Sequence, residues 1–488
     1  MITLLISVSD KTGLVALLQA FQTQDTLRII ATGSTAKHLE ASGFAVETVE
    51  SVTGFPEIME GRVKTLHPKI FGGILAKDTH DQVREDHGIP RIDVVIVNLY
   101  PFEQTQTIEN IDIGGVALIR AAAKNFEHVA VIADPSLYPL VSQALPFSLE
   151  SRKHLAQKAF QHTARYDALI ARYFSNDQLM LSLNKVEDLR YGENPHEKAA
   201  WYGPDHFEKP FEQLQGKQMS ANNLVDAYAA AKILQEFPAD PVCCVIKHNN
   251  PCGAAVGQTI DEAYQKAYDA DPISAFGGIF GFNRPVTKSI AEKISGLFIE
   301  IVMAPNFEPE ALTVFSQKKN VRVLQVPMLA QPSEQKSAWV LKDLESFGYL
   351  LQEKNLSNTL PELSTVTEQP LPPHTLADVA FAWGIVKHLT SNAICVVKGG
   401  QTVGYGIGQT SRIASMEIAL RQAGKKAQGA VLASDGFFPA TDNIEAAAKA
   451  GISVIVQPGG SIKDPEVIEA ANQHGLAMVL THERCFKH

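Results

Sequence analysis

Short apolar runs alternate with helical periodicity through the first third of the chain. Residues 2–8 form an apolar run that the polar stretch 10–13 breaks. Leu14, Leu17, Leu18 and Phe21 then recur at the spacing of one helix face. The run 27–31 predicts a second strand, 32–35 a turn, 36–42 a short helix and 44–49 an alternating strand. Further on, 93–99 and 129–133 read as buried strands around a helix over 116–125, and 151–174 reads as a long helix. Strands separated by helices predict a parallel α/β sheet, with ligands at the carboxyl ends of its strands.

A polar stretch over 175–188 marks a boundary near 180–186. Beyond it, apolar runs at 241–246, 275–282, 392–397, 430–433 and 452–456 alternate with helical segments. The Pro-, Ser- and Thr-rich stretch 353–374 reads as a connector between two subdomains, and no short-period repeat stands out. The length, 488 residues, gives a prior of roughly three domains. A composition of 45% hydrophobic and 20% charged residues excludes collagen-like, coiled-coil and largely disordered chains. The net charge of -10 argues against wrapping a nucleic-acid backbone. Five cysteines, two of them adjacent, do not make a disulfide framework and point to a reduced, cytoplasmic compartment. The opening MITLLISVSD lacks the basic region of a signal peptide, and no apolar stretch approaches the ~18 residues of a membrane span.

Two strand-to-helix corners, Ser7–Gly13 and Thr32–Lys37, are loaded with small and hydroxyl residues. With Arg62-Val63-Lys64-Thr65 they suit a phosphate, although plain helix capping explains either corner alone. Asp112 precedes a helix carrying Arg120 and Lys124, four apart and on one face. They fit either a surface ion-pair array or an acid/base carboxylate beside an oxyanion-stabilising lysine. Tyr100 ends the preceding strand, where it is either packed or turned into the same crevice. In Val245–Gly253, an apolar strand delivers Lys247 and His248 into a turn expected at Asn-Pro. His248 is a candidate general base and Lys247 a charge stabiliser. Cys243, Cys244, His248 and Cys252 lie close in sequence, but the zinc-deaminase pattern of H-x-E and P-C-x-x-C is broken. An exposed Phe437-Phe438 pair beside Asp435 would clamp a flat ligand, with core packing as the alternative.

Taken in order, SVSDKTG (7–13), TGFPEIMEGRVKTLHPKIFGGIL (53–75), NLYPF (98–102), IDIGG and LIRAAAKN (111–125), LRYGENPH (189–196), KHNNPCGAAVG (247–257), DPISAFGGI (271–279), the run 391–412 and SDGFFP (434–439) are specific. Over essentially its whole length the chain resembles the bifunctional purine-biosynthesis family that combines AICAR formyltransferase with IMP cyclohydrolase. The resemblance implies a methylglyoxal-synthase-like parallel α/β domain over 1–184. Two cytidine-deaminase-like α/β subdomains without catalytic zinc would follow over 185–360 and 361–488. It implies formyl transfer from 10-formyltetrahydrofolate to the 5-amino group of AICAR, then closure of formyl-AICAR to IMP with loss of water. It also implies a homodimer, with no metal, nucleic-acid or membrane partner.

By motif, the family's inosinate-side contacts fall on Ser9, Asp10, Lys11, Thr32, Gly33, Ser34, Thr35, Arg62, Lys64, Thr65, Asn98, Asp112 and Ile113, with Lys124, Lys64, Tyr100 and Asp112 serving closure. In the transferase, His248 would be the base, with Lys247 and Asn392 stabilising the formyl oxygen. Arg190, Tyr191 and Arg484 would hold AICAR, and Gly277, Glu300, Arg412, Phe437, Asp442, Ser461 and Ile462 would line the substrate and folate site. Glu197, Ala221, Ser34 and the C-terminal ending depart from the common family pattern. Two other readings stay open here, a nucleotide-sensing binding protein and a single-activity transformylase with a regulatory first domain.

Overall fold

The computed structural model describes residues 1–175, 177–204, 207–331, 339–355 and 360–488, with the side chain of residue 60 left aside. The chain forms two compact units, Met1–Ser182 and Leu183–His488.

The first unit is built from β1 (Ile2–Val8), α1 (Leu14–Gln22), β2 (Leu27–Ala31), α2 (Gly33–Ala41), β3 (Glu47–Thr48), α3 (Val49–Thr53), α4 (Pro68–Leu75), α5 (Asp81–Asp86), β4 (Val94–Asn98), α6 (Gly114–Lys124), β5 (Ala130–Ile132), α7 (Tyr138–Val141) and α8 (Leu149–Phe174). Its five strands are parallel, in the order β3-β2-β1-β4-β5. The apolar face of α1, with Leu14, Leu17, Leu18 and Phe21, is buried against the sheet. The strand expected over 44–49 is only two residues long. Thr48 turns its hydroxyl to the N–H of Ser51 and starts α3 there, so capping ends the strand.

The second unit contains β6 (Asn184–Leu189), β7 (Ala199–Gly203), β8 (Glu212–Gln215), α9 (Ala221–Gln235), β9 (Val242–Lys247), β10 (Asn250–Val256), α10 (Ile260–Ala270), β11 (Ile279–Phe282), α11 (Lys288–Ser295), β12 (Ile301–Ala304), α12 (Pro309–Phe315), β13 (Arg322–Gln325), β14 (Trp339–Asp343) and β15 (Tyr349–Glu353). There follow β16 (Ser364–Thr365), α13 (Leu376–Val386), β17 (Ile394–Lys398), β18 (Gln401–Gly406), α14 (Arg412–Ala423), β19 (Val431–Ser434), α15 (Asp442–Ala450), β20 (Val454–Gln457), α16 (Asp464–Gln473) and β21 (Ala477–Leu480). Twelve strands make one sheet, in the order β16-β21-β20-β19-β17-β18-β10-β9-β11-β12-β13-β8.

That order is a palindrome. Each half is an antiparallel hairpin (β9–β10 or β17–β18), then three strands parallel to one another, then an antiparallel edge strand. The helix before each hairpin, α9 or α13, packs on one shared face of the sheet, while the three later helices of each half cover the opposite face. Equivalent glycines recur. A Cβ on Gly253 would sit 2.1 Å from the carbonyl of Ala267, and one on Gly404 2.2 Å from that of Ala419, so a helix crosses each hairpin in backbone contact. No short-period repeat was expected, and what recurs is one strand topology in the two halves of the sheet. The halves meet where β10 pairs with β18. There the Thr402 hydroxyl takes the place of a backbone partner: the Ala254 N–H donates to it at 2.9 Å, and it donates to the Ala254 carbonyl at 2.9 Å. The Tyr405 hydroxyl donates to it in turn at 2.8 Å.

Candidate active sites

In the first unit, the carboxyl ends of parallel strands gather the hydroxyl-rich corners on one edge. Adjacency of β1 and β4 lets Asn98 organise the first corner. Its Oδ1 accepts from the Ser9 N–H at 2.7 Å and the Asp10 N–H at 3.0 Å, and its Nδ2 donates to the Asp10 carbonyl at 2.6 Å. The Thr12 N–H donates to Asp10 at 2.9 Å, and this bond, with the Thr12 side chain and the charge of Lys11, holds that carboxyl below its usual range. Thr32, Gly33 and Ser34 form the start of α2, with Ser34 exposed. Thr35 is fully buried and its hydroxyl exchanges bonds with the backbone of Val8 at 3.2 Å. It therefore ties α2 to β1.

The same edge holds the start of α6. Asp112 accepts from the Gly115 N–H at 2.6 Å, and its own N–H donates to the Tyr166 hydroxyl at 2.8 Å. Glycine is required here: a Cβ on Gly115 would lie 2.7 Å from the Asp112 carboxylate. Thr65 is buried beside Gly114. Burial pushes the Asp112 carboxyl up, against the opposing pull of the Gly115 and Tyr100 N–H groups and of Lys64. Lys64 itself pairs with Glu57 at 3.0 Å, and Arg62 pairs with Glu109. Tyr100 and Ile113 are exposed at the same edge, so Tyr100 is not packed away. Glu57, near Gly33 as well as Lys64, escaped the sequence reading because a lone carboxylate in a loop carries no pattern.

Lys124 does not join this group within the chain. It ends α6, about 15 Å along the helix from Gly114 at 1.5 Å per residue. With Arg120, on the same face as expected, it lines a separate open cavity of about 740 Å³ floored by Phe71, Leu75, Phe126 and Phe160.

In the second unit, strand register brings the transferase candidates to one edge of the long sheet. His248 and Asn249 form the two-residue turn between Lys247 and Asn250, which pair directly, so the turn precedes Asn250-Pro251 instead of containing it. The Asn250 side chain faces Thr390 at 3.4 Å, and this sets the turn beside the Ser391–Asn392 corner. His248 is exposed. Lys247 Nζ donates to the Phe276 carbonyl at 2.8 Å, next to Gly277, where Phe276 and Phe298 form an exposed aromatic pair with centroids 5.1 Å apart. Arg190 stacks over the Tyr191 ring at 5.3 Å, and the Tyr191 carbonyl accepts the first N–H of α9 at 3.0 Å. Glu197 ties the same loop, accepting from the Asn194 side chain at 2.7 Å. Glu300 is paired with fully buried Arg322 at 2.7 Å.

Asp435 is the hub of the second half. It is fully buried and accepts from Arg412 Nη1 at 2.5 Å and from the Ser391 hydroxyl, while its carbonyl accepts the Cys485 N–H at 3.0 Å. Arg412 Nη2 donates to Asn392 Oδ1 at 2.7 Å, and Asn392 Nδ2 donates to the carbonyl of Gln409 at 3.0 Å. The Asn392 amide is thus spent on protein partners. Its Nδ2 also donates to the Thr410 carbonyl at 3.3 Å, and its Oδ1 helps orient Arg412. Phe486 lies between Arg412 and Arg484, 6.0 and 5.0 Å from their guanidinium carbons. Phe438 is core while Phe437 is 38% exposed, so one ring of the pair and not both can stack on a ligand. Asp442 opens α15, and the loop after β20 carries Ser461 and the exposed Ile462.

Among the described residues no three His, Cys, Asp or Glu groups are placed to hold a metal ion. Cys243 and Cys244 point to opposite faces of the sheet, and burial pushes the Cys252 thiol up to about 12.

A family model described as the AICARFT/IMPCHase bienzyme matches residues 122–422, and one described as an MGS-like domain matches residues 13–126. Curated proteins called bifunctional purine biosynthesis protein PurH are similar over their whole lengths. One from Desulfitobacterium hafniense (strain DSM 10664 / DCB-2) is 47% identical over 517 aligned residues, covering 99% of each chain. One from Oceanobacillus iheyensis is 45% identical over 513, and one from Bacillus cereus (strain ATCC 10987) 47% identical over 519, each again covering 99% of both chains.

Proposed function

The chain belongs to the AICARFT/IMPCHase bienzyme family and is an AICAR formyltransferase and IMP cyclohydrolase of purine biosynthesis; from that premise we propose how the two reactions divide along it. Residues 1–184 close the ring, and residues 185–360 and 361–488 together transfer the formyl group. The observation that carries this division is the pair of polar edges, one on each unit, each with its own cations and its own acid/base group.

In closure, the carboxamide nitrogen attacks the formyl carbon and negative charge grows on the formyl oxygen. Lys64 and Tyr100 supply donors there. Asp112, whose carboxyl burial biases toward holding a proton, moves protons as the hydroxyl departs as water. In transfer, the 5-amino group attacks the formyl carbon of 10-formyltetrahydrofolate. His248 takes the amine proton, the bond to the folate N10 breaks, and the proton passes to that nitrogen. Lys247 keeps two N–H donors beyond its bond to Phe276 and can meet the formyl oxygen. Phe437, stacked on a flat pteridine, and Asp442, toward its amino groups, suit the folate.

Two finer expectations have their own support. Among the described residues the β14–β15 hairpin pairs only with itself, and Phe347, Tyr349, Leu350 and Leu351 on it are exposed, which suits a homodimer contact. Five free cysteines, four of them buried, suit a reducing cytoplasm.

The experiment supplies the full chain with AICAR and 10-formyltetrahydrofolate, and separately with formyl-AICAR, and follows IMP. His248→Ala is expected to lower transfer by ~10²–10⁴-fold and spare closure; Asp112→Asn is expected to do the reverse. Equal loss of both activities in either folded variant overturns the division. For the dimer, sedimentation of Phe347→Glu is expected to show a monomer where the native chain shows a dimer.

A further inference from the structure

The duplicated topology supplies an internal comparison for the turn that carries His248. In the second half, the equivalent two-residue turn between β17 and β18 is Gly399-Gly400, with φ of 60° and 71°. Such turns require positive φ at both central residues, and glycine meets that without strain. Asp378 of α13 clamps it, accepting from the Gly399 N–H and the Gly400 N–H at 2.7 Å each. In the first half the same turn is His248-Asn249, with φ of 53° and 62°. Few non-glycine residues adopt this backbone, although histidine and asparagine do so more readily than most. The equivalent of Asp378 is Asp226 on α9, which accepts from the Asn249 N–H at 2.6 Å and also faces the His248 N–H. The first N–H of the same helix donates to the Tyr191 carbonyl, so α9 ties the Arg190–Tyr191 segment to the turn.

We propose that Asp226 is a positioning residue for formyl transfer: its carboxylate holds the His248-Asn249 turn in a left-handed backbone and thereby aims the His248 imidazole at the attacking amine. The clamp is a device of the fold, present where glycine makes it nearly redundant. In the first half it carries a strained turn that lifts a reactive side chain. The proposal rests on the reading of His248 as the transferase base.

The test measures kcat and KM for formyl transfer in the full chain, with closure of supplied formyl-AICAR and thermal unfolding as controls. Asp226→Ala is expected to lower kcat by ~10²-fold with KM little changed, the penalty of misplacing a catalytic group by about 1 Å. Asp226→Asn keeps an oxygen acceptor and is expected to stay within about threefold of the native kcat. Asn249→Gly added to Asp226→Ala relieves the left-handed requirement and is expected to recover ~10-fold of the loss. Asp378→Ala, clamping a turn with no reactive group, is expected to leave kcat unchanged. A native kcat in Asp226→Ala, an Asp226→Asn as slow as Asp226→Ala, or an equal loss in Asp378→Ala each overturns the proposal. Full transfer by His248→Ala overturns instead the reading beneath it.

Discussion

At the scale of single residues, the edge that carries His248 trades stability for placement. A non-glycine residue at left-handed φ gives up about 1–2 kcal/mol, against about 0.5–1 kcal/mol of chain entropy that glycine would lose on folding. His248→Gly is therefore expected to raise the unfolding free energy of its unit by about 0.5–1 kcal/mol while abolishing transfer, read by denaturant unfolding and the IMP assay. Arg412 makes a different demand. Its planar fork reaches Asp435, Ser434 and Asn392 at once, a geometry that lysine cannot copy. Arg412→Lys is expected to lose transfer activity and leave closure by the first unit intact. The candidate site residues stood out because hydroxyls, cations and histidine cluster in short ordered strings. Asp226 and Asp435 were not. An acidic residue inside a helix looks like ordinary surface until the turn above it is known, and Asp435 reads as a turn residue until Arg412 is seen against it. The one signal in the sequence was the distant likeness of Lys247-His248-Asn249-Asn250 to Lys398-Gly399-Gly400-Gln401, each preceded by an aspartate in a helix.

At the scale of elements, hydrophobic periodicity located most strands and helices, since burial decides both. Their ends moved where capping or a turn intervened, as at Thr48 and at His248-Asn249. What periodicity could not show is how α9 and α13 are joined. Their C-terminal ends share a buried cluster in which Glu236 accepts from Lys387 at 2.7 Å and lies 2.9 Å from His388. Burial works against the Glu236 charge, but His388 and Lys387 outweigh it and hold that carboxyl below its usual range. Burial likewise dominates at His388 and lowers it, with Glu236 opposing. Both groups therefore bind fewer protons folded than unfolded, so stability rises with pH. The unit is expected to be fully stable above about pH 6.5, the unperturbed histidine value, and to weaken on acidification through the histidine and then the carboxylate range, measured as midpoint against pH. Glu236→Gln, which removes the carboxylate from a buried pair, is expected to destabilise by about 3–5 kcal/mol and to flatten that profile.

At the scale of the whole molecule, the pairing of two activities in one chain was readable from ordered motifs, whereas the palindromic sheet was not. Strand order depends on which edges meet in space, and no local pattern encodes that. The join between the halves rests on a short stretch of β10 and β18, and at its centre a lone hydroxyl, that of Thr402, satisfies both backbone groups of Ala254 and the Tyr405 phenol. A valine there would keep the shape and strand three polar groups, so this seam is where the long sheet should first delaminate. Severing the polypeptide in the linker before β16 would leave two half-sheets, each with a bare rim. Their reunion, followed as recovered transfer activity on mixing, would reveal whether the two rims alone can still find one another.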